Sequence, residues 1–311
     1  MHFSPSVTLL AGGVGGAKLA QGLAGALQRP EDLTVVVNTG DDDVIYGLDV
    51  SPDLDTVMYT LAGLANPETG WGVADDTFTT LDAMAALGED TWFRIGDRDL
   101  ATNVLRTARR RSGATLSEVT AELCRGLGVR PRLLPMTDQR VATVVTTPDG
   151  RLDFQEYFVA RRHADRVLGV SYDGVSESRP APGVLETLGE ADVVVLAPSN
   201  PYLSIGPILA VPGVREALAA TTARKTAVSP IVGGRALKGP AAAILEAMGH
   251  EVSALGVARM WAGVVDELVL DVADAALAPA VEEVGLSVVV TRTVMSGAED
   301  RVRLARELLE R

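Results

Sequence analysis

Cysteine is nearly absent: the 311-residue chain has one, Cys124. A lone thiol excludes an internal disulfide and a CxxC metal site, and it suits a reducing compartment. Histidine is scarce as well. His2, His163 and His250 stand apart from every motif described below, which leaves a Ser-His-Asp triad or a histidine acid–base scheme without support. Basic residues are the minority, 28 Lys and Arg against 41 Asp and Glu, for a formal net charge of −13. Binding nucleic-acid phosphate or anionic lipid takes a basic face, so neither nucleic acid nor membrane is expected as a partner. No uninterrupted apolar run reaches the roughly 18 residues of a membrane span. The stretch 7–27 lacks a basic leader, carries clustered glycines and is interrupted by Lys18, unlike a signal peptide. A cytoplasmic location is expected.

Hydrophobic residues make up 47% of the chain, enough for a core and too many for a disordered polymer. Short Val- and Leu-rich runs alternate with Ala- and Leu-rich segments of helical period, the pattern of βαβ units around a parallel sheet. Strands are predicted at 7–11, 33–38, 166–171, 192–197, 225–229, 267–270 and 287–290, with helices at 17–28 and 298–309. Between 51 and 112 the pattern turns mostly helical. Thr115-Leu-Ser-Glu118 fits a capping box, and 141–159 reads as a hairpin around Pro148-Asp149-Gly150. The predicted fold is α/β: a Rossmann-like, doubly wound, mostly parallel sheet with an inserted, largely helical subdomain. Residues 1–50 and 164–311 form the nucleotide-binding core and 51–163 the insert.

Five segments carry chemistry. Gly12-Gly-Val-Gly-Gly-Ala-Lys18 lies between a strand and a helix, where glycines let an anion approach unpaired backbone N–H groups. It also fits a plain tight turn. It is no P-loop, and Lys18 stands where the third glycine of a dinucleotide fingerprint would fall; the second strand ends in Asn38 where a ribose site wants an acid. Asp41, Asp42, Asp43, Asp49, Asp53 and Asp55 then crowd the carboxyl end of that strand. Oxygen-only ligands suit Mg²⁺ and not zinc; the same acids also fit a solvated face, with Asp55 capping a helix at Thr56. Arg94, Asp97, Arg98 and Asp99 follow Trp92 and Phe93, either a phosphate- and ring-binding group or a surface ion-pair cluster beside core aromatics. Ser199, Asn200 and Ser204 after one strand, and Ser229, Pro230 and Gly233 with Lys238 after another, offer nucleotide donors or ordinary turn chemistry. Cys124, between Leu123 and Leu127, reads as packing.

Taken together and in order, Gly12–Gly16, Val35-Val-Val-Asn-Thr-Gly-Asp-Asp42, Ser51-Pro-Asp-Leu-Asp-Thr56, Gly96-Asp-Arg-Asp99, Pro198-Ser-Asn-Pro201 with Ser204-Ile-Gly-Pro207, and Ser229-Pro-Ile closely resemble the 2-phospho-L-lactate transferase family of deazaflavin coenzyme biosynthesis. The resemblance runs from about residue 7 to about 300. It implies that a 2-phospholactyl or enolpyruvyl phosphate group passes from a guanosine-diphosphate-activated donor to the terminal ribityl hydroxyl of the deazaflavin FO, releasing GMP, with Mg²⁺ and in a homodimer. By motif position it implies catalytic duties for Asp55 and Asp41. FO would meet Asp55, Asp53, Arg94 and Arg98, with the insert completing the cleft; Asp41, Asp42 and Asp55 would hold Mg²⁺. The donor would lie against Gly12, Gly13, Gly15, Gly16, Lys18, Asn38, Ser199, Asn200, Ser204, Ser229, Pro230 and Gly233. Asp43, a third acid beside the pair, leaves open which carboxylate is the ligand.

Two other classes compete. The related gluconeogenesis-factor proteins, non-catalytic nucleotide-sugar-binding regulators, resemble the chain in the glycine and acidic loops, while the Pro-Asp-Leu-Asp-Thr segment favours the transferase. An NAD(P) oxidoreductase conflicts with Lys18 and Asn38. Asp55 is expected to be exposed, so that its removal would spare the fold.

Overall fold

The computed structural model describes residues 5–237 and 239–311; Lys238 and His2 lie outside the described residues. Seven parallel strands form the central sheet: β1 Val7–Ala11, β2 Leu33–Val37, β3 Arg132–Pro135, β4 Val193–Leu196, β5 Arg224–Val228, β6 Glu267–Asp271 and β7 Ser287–Thr291. Their order across the sheet is β7-β6-β5-β4-β1-β2-β3, with every neighbouring pair parallel. This is the doubly wound arrangement that the hydrophobic runs predict. The strand order reverses between β1 and β4, and ligands of open α/β sheets bind at such a point, beyond the carboxyl ends of the strands.

The period of two along these strands divides the core. Leu9, Val35, Val37 and Val195 face one side, where they meet Leu19 and Leu23 of α1 (Gly13–Ala26) and Leu304 and Leu308 of the last helix, Ala298–Leu309. Leu10, Val36, Leu134, Val194 and Leu196 face the other, against Ile205, Ile208, Val257 and Trp261. Leu19, Leu23, Leu304 and Leu308 are almost wholly removed from water, and each such side chain contributes about 1.5–3 kcal/mol.

Two sequence expectations are corrected. The run 166–171 does not join the central sheet. Its strand, Gly169–Asp173, pairs antiparallel with Ala142–Thr147, whose other neighbour is Gly150–Asp153. Residues Gly169–Asp173 are half-buried or exposed, whereas a central parallel strand must be covered on both faces, as β1 is. Conversely β3, only four residues and bounded by prolines 131 and 135, closes the sheet edge from within the stretch 51–163. The remainder of that stretch does carry helices: α2 Pro52–Leu61, α3 Thr79–Ala86, α4 Asp97–Arg111 and α5 Leu116–Gly126, the last opened by the expected Thr115–Glu118 capping box. Among the described residues no single helix is long and apolar enough to cross a membrane.

Candidate active site

The glycine loop ends β1 and opens α1 at the strand-order reversal. Its glycines are sterically required. A Cβ on Gly15 would stand 2.6 Å from the Pro198 carbonyl oxygen, and one on Gly12 would stand 2.5 Å from Asp53 Oδ2 and 2.7 Å from Ser204 Cβ. Ser199, after β4, closes the seam, its hydroxyl donating to the Gly12 carbonyl at 2.7 Å. The first amide of α1 is already engaged, because the Gly13 N–H donates to Asp53 Oδ1 at 2.7 Å. Asp53 thus holds the electropositive end of α1. Asn200 caps the next turn through its carbonyl oxygen, accepting from Tyr202 and Leu203 N–H, while its buried amide nitrogen has no protein partner.

Asn38 ties this loop to the acids. Its amide nitrogen donates to Asp41 Oδ1, to Asp53 Oδ2 at 3.0 Å and to the Leu203 carbonyl at 3.1 Å, while its oxygen accepts from Gly40 N–H. The residue expected to meet a nucleotide therefore spends its side chain organising two carboxylates and the β4 loop. Gln155 donates to the Asp41 carbonyl at 2.9 Å and Thr143 N–H to that of Gly40, so the small antiparallel sheet buttresses the acidic loop from outside.

Asp41, Asp53 and Asp55 are buried, and Asp42, half-buried, has one oxygen fully covered without a partner while the other accepts from Ser51. The expectation that Asp55 is exposed is therefore wrong. α4 packs beside α2 and sends Arg106 into a two-pronged pair with Asp55, Nη1 to Oδ2 at 3.1 Å and Nη2 to Oδ1. Burial pushes all these carboxyls up, Asp53 to about 6 and Asp41 well above its ordinary range, with the Asp53 charge adding to the burial. Asp42 is likewise raised well above, and burial outweighs even the Arg106 charge at Asp55. On the same α4 face, Asp99 accepts from Tyr59 and Asn103 and rises to about 7, first from burial and then from the Asp55 charge. Three of these carboxyls, Asp42, Asp55 and Asp99, share the charge of one buried guanidinium.

The remaining expected residues lie elsewhere or serve the fold. Arg94 is exposed, its guanidinium 4.1 Å from the Phe78 ring centroid, and exposed Arg98 donates to the Ala74 carbonyl. Asp97 caps α3 through Thr79 and Thr80 N–H while Asp76 caps α4 through Arg98 and Asp99 N–H. Trp92 and Phe93 pack on Ile45, Val50 and Ile95. Lys18 donates to the Met295 carbonyl, Ser229 closes its own turn with Ile231, and the Gly233 N–H goes to Asp274. Pro230 is half-buried in the same turn. Arg106, Asn103, Tyr59 and Gln155 escaped the sequence reading. The available signal was Asp99, Asn103 and Arg106 at i, i+4 and i+7, one face of a helix.

Among the described residues no three His, Cys, Asp or Glu converge as a metal cage. The donors present still fit Mg²⁺. They are oxygens, one Asp42 oxygen is buried and unpartnered, and the acids carry more negative charge than Arg106 offsets. Mg²⁺ commonly takes one or two carboxylates and completes its shell with substrate phosphate and water.

The family described as 2-phospho-L-lactate transferase CofD matches residues 7–297. The chain belongs to this family. It is 44% identical over 310 residues to the phosphoenolpyruvate transferase of Streptomyces griseus, covering 98% of this chain and 97% of that one. It is 42% identical over 303 residues to the 2-phospho-L-lactate transferase of Methanothermobacter thermautotrophicus, covering 97% of each. The family and these relatives make the protein a transferase. Protein BH3568 from Bacillus halodurans, of the UPF0052 family, shares the fold at TM-score 0.64 and 19% identity, over 99% of this chain and 100% of that one. At that identity the likeness speaks for the architecture alone.

Proposed function

We propose that the protein moves a 2-phospholactyl or enolpyruvyl phosphate group from a guanosine-diphosphate-activated donor to the terminal ribityl hydroxyl of FO, in deazaflavin coenzyme F420 biosynthesis. The ribityl oxygen bonds to the phosphorus that carries the three-carbon acid, the bond to the bridging oxygen breaks, and GMP leaves with that oxygen. One observation carries this reading: Gly13 N–H, Asp53, Asn38 and Asp41 are linked in one continuous hydrogen-bonded chain. A diphosphate lodged at the glycine loop would therefore lie against the carboxylates. The Ser199–Ser204 loop, with the open Asn200 amide, completes the donor side.

Asp41 and Asp42, with the lone pairs of Asp55 that Arg106 leaves open, would hold Mg²⁺. When bound, the ion offsets charge on the phosphates. The chain's own groups position the reactants, which is most of what phosphoryl transfer asks of a protein. Asp55 stands to accept the proton of the attacking hydroxyl. The family's expected homodimer and cytoplasmic setting belong to the same reading.

Incubating the protein with FO, Mg²⁺ and each of the two activated donors, and weighing the products, tests it. GMP and a heavier deazaflavin are expected, and the preferred donor identifies the three-carbon acid. No product from either donor at saturation would overturn the proposal.

A further inference from the structure

Arg106 is buried to 2% side-chain exposure, yet it sits on a helix whose outward face carries Val104 and Leu105, each nearly half-exposed. Stability alone gives little reason for that inversion, since burying a guanidinium costs desolvation that a well-packed apolar side chain avoids. What the burial achieves is geometric. Arg106 Nη1 also donates to Asn103 Oδ1 at 2.8 Å and to the Asp49 carbonyl at 3.3 Å, so the guanidinium is itself anchored by partners other than Asp55. The fork engages both Asp55 oxygens at once, which stops the carboxylate from turning about its last bond. The backbone of Asp55 is held too, its N–H donating to the Ser51 carbonyl at 2.9 Å in the first turn of α2.

We propose that Arg106 is a positioning residue for the transfer: its fork fixes the Asp55 carboxylate in the single orientation that meets the acceptor hydroxyl. The inference rests on the proposed function only in placing the acceptor beside Asp55. An oxygen that must take a proton in the transition state has to lie within hydrogen-bond reach of it at the right angle, and small misplacements are costly. Lysine would keep the charge but offers a point ammonium in place of a planar fork.

Arg106→Lys is the test, with Asn103→Ala as a second variant that loosens the fork while leaving the ion pair. Both should retain a cooperative melt. In each, kcat should fall, about tenfold for Arg106→Lys and less for Asn103→Ala, while KM for the donor stays within about twofold. A role in stability alone would lower the melting temperature and leave kcat of the folded enzyme unchanged, which overturns the inference; so would equal losses at donor and acceptor. If Arg106→Lys does not fold, Asn103→Ala decides by the same readings. Crystal structures of the unliganded wild type and variants separate this inference from the function itself. An Asp55 carboxylate in the same orientation in every variant refutes positioning, whatever the reaction is; a turned carboxylate supports it even if FO is not the acceptor.

Discussion

The two walls of the site are built by opposite means. The glycine wall, from the glycine loop to Ser199 and Ser204, is made by shape: glycines placed where a Cβ would collide, joined by short hydrogen bonds to backbone. The acid wall, where α2 meets α4, is made by charge. It buries Asp55 against Arg106 and Asp41 and Asp53 against the Asn38 amide, and each carboxyl is pushed up by the burial. Shape can be complete before any ligand arrives. A charge imbalance of this kind is relieved only when a cation or a proton enters, so the acid wall is the part of the site whose state depends on what is bound.

Altering Asp55 should break the contrast most severely. Asp55→Asn removes the carboxylate that forks with buried Arg106, and removing one partner of such a pair costs about 3–5 kcal/mol. Turnover should be lost as well. Denaturant melts together with product assays check both; a variant with wild-type stability would mean that the pair is not formed. On the shape side, Gly15→Ala should abolish donor binding because the new methyl meets the Pro198 carbonyl. Gly22→Ala, where α1 crosses the Arg301 backbone of the last helix, should cost about 1–3 kcal/mol by overpacking while the folded enzyme keeps its KM values. Calorimetry and thermal melts distinguish the two, and a Gly22→Ala variant that loses donor affinity would blur the division.

A gentler probe uses pH. Asp53 titrates near 6 in the folded protein against about 3.9 in an unfolded chain. The folded state therefore binds more protons across that window, and the stability this group contributes is present below about pH 4 and lost as pH rises through about 6. Mg²⁺ needs the ionised acids. Its addition should raise the melting temperature more at pH 7.5 than at pH 5; equal shifts would show that the acid wall does not take up the ion. The smallest effect is expected at Arg94, exposed and stacked on Phe78. Arg94→Ala should weaken FO binding by about threefold or less, the scale of an exposed cation–π contact, and leave the donor untouched. A loss at both ligands by titration would place Arg94 nearer the phosphates than the fold suggests.

Much of the glycine wall was legible because its signals are local. Gly12–Gly16 follows an apolar strand, and Ser199 and Asn200 follow another, so strand ends alone bring them together at the sheet reversal. The acid wall was legible only in composition. The segment 41–55 announced carboxylates, but Asp55 passed for an exposed side chain because its partner lies 51 residues away. Arg106 was hidden by its setting, in a helix that ends in Arg109, Arg110 and Arg111 and whose Val104 and Leu105 point outward. The strand at 166–171 was misplaced for a similar reason: its composition suits a strand, and only its exposure shows which sheet takes it.

The amino-acid order alone determined the doubly wound class, six of the seven sheet strands and the two loops at its reversal, because parallel strands buried on both faces need continuous apolar runs and tight turns need glycine, both written within a few neighbouring residues. Only the tertiary structure decided which acids are buried, which arginine meets them and how Asn38 binds the loops into one body. Those pairings join segments far apart in the chain, and a charged side chain carries no local mark of whether water or another charge will satisfy it.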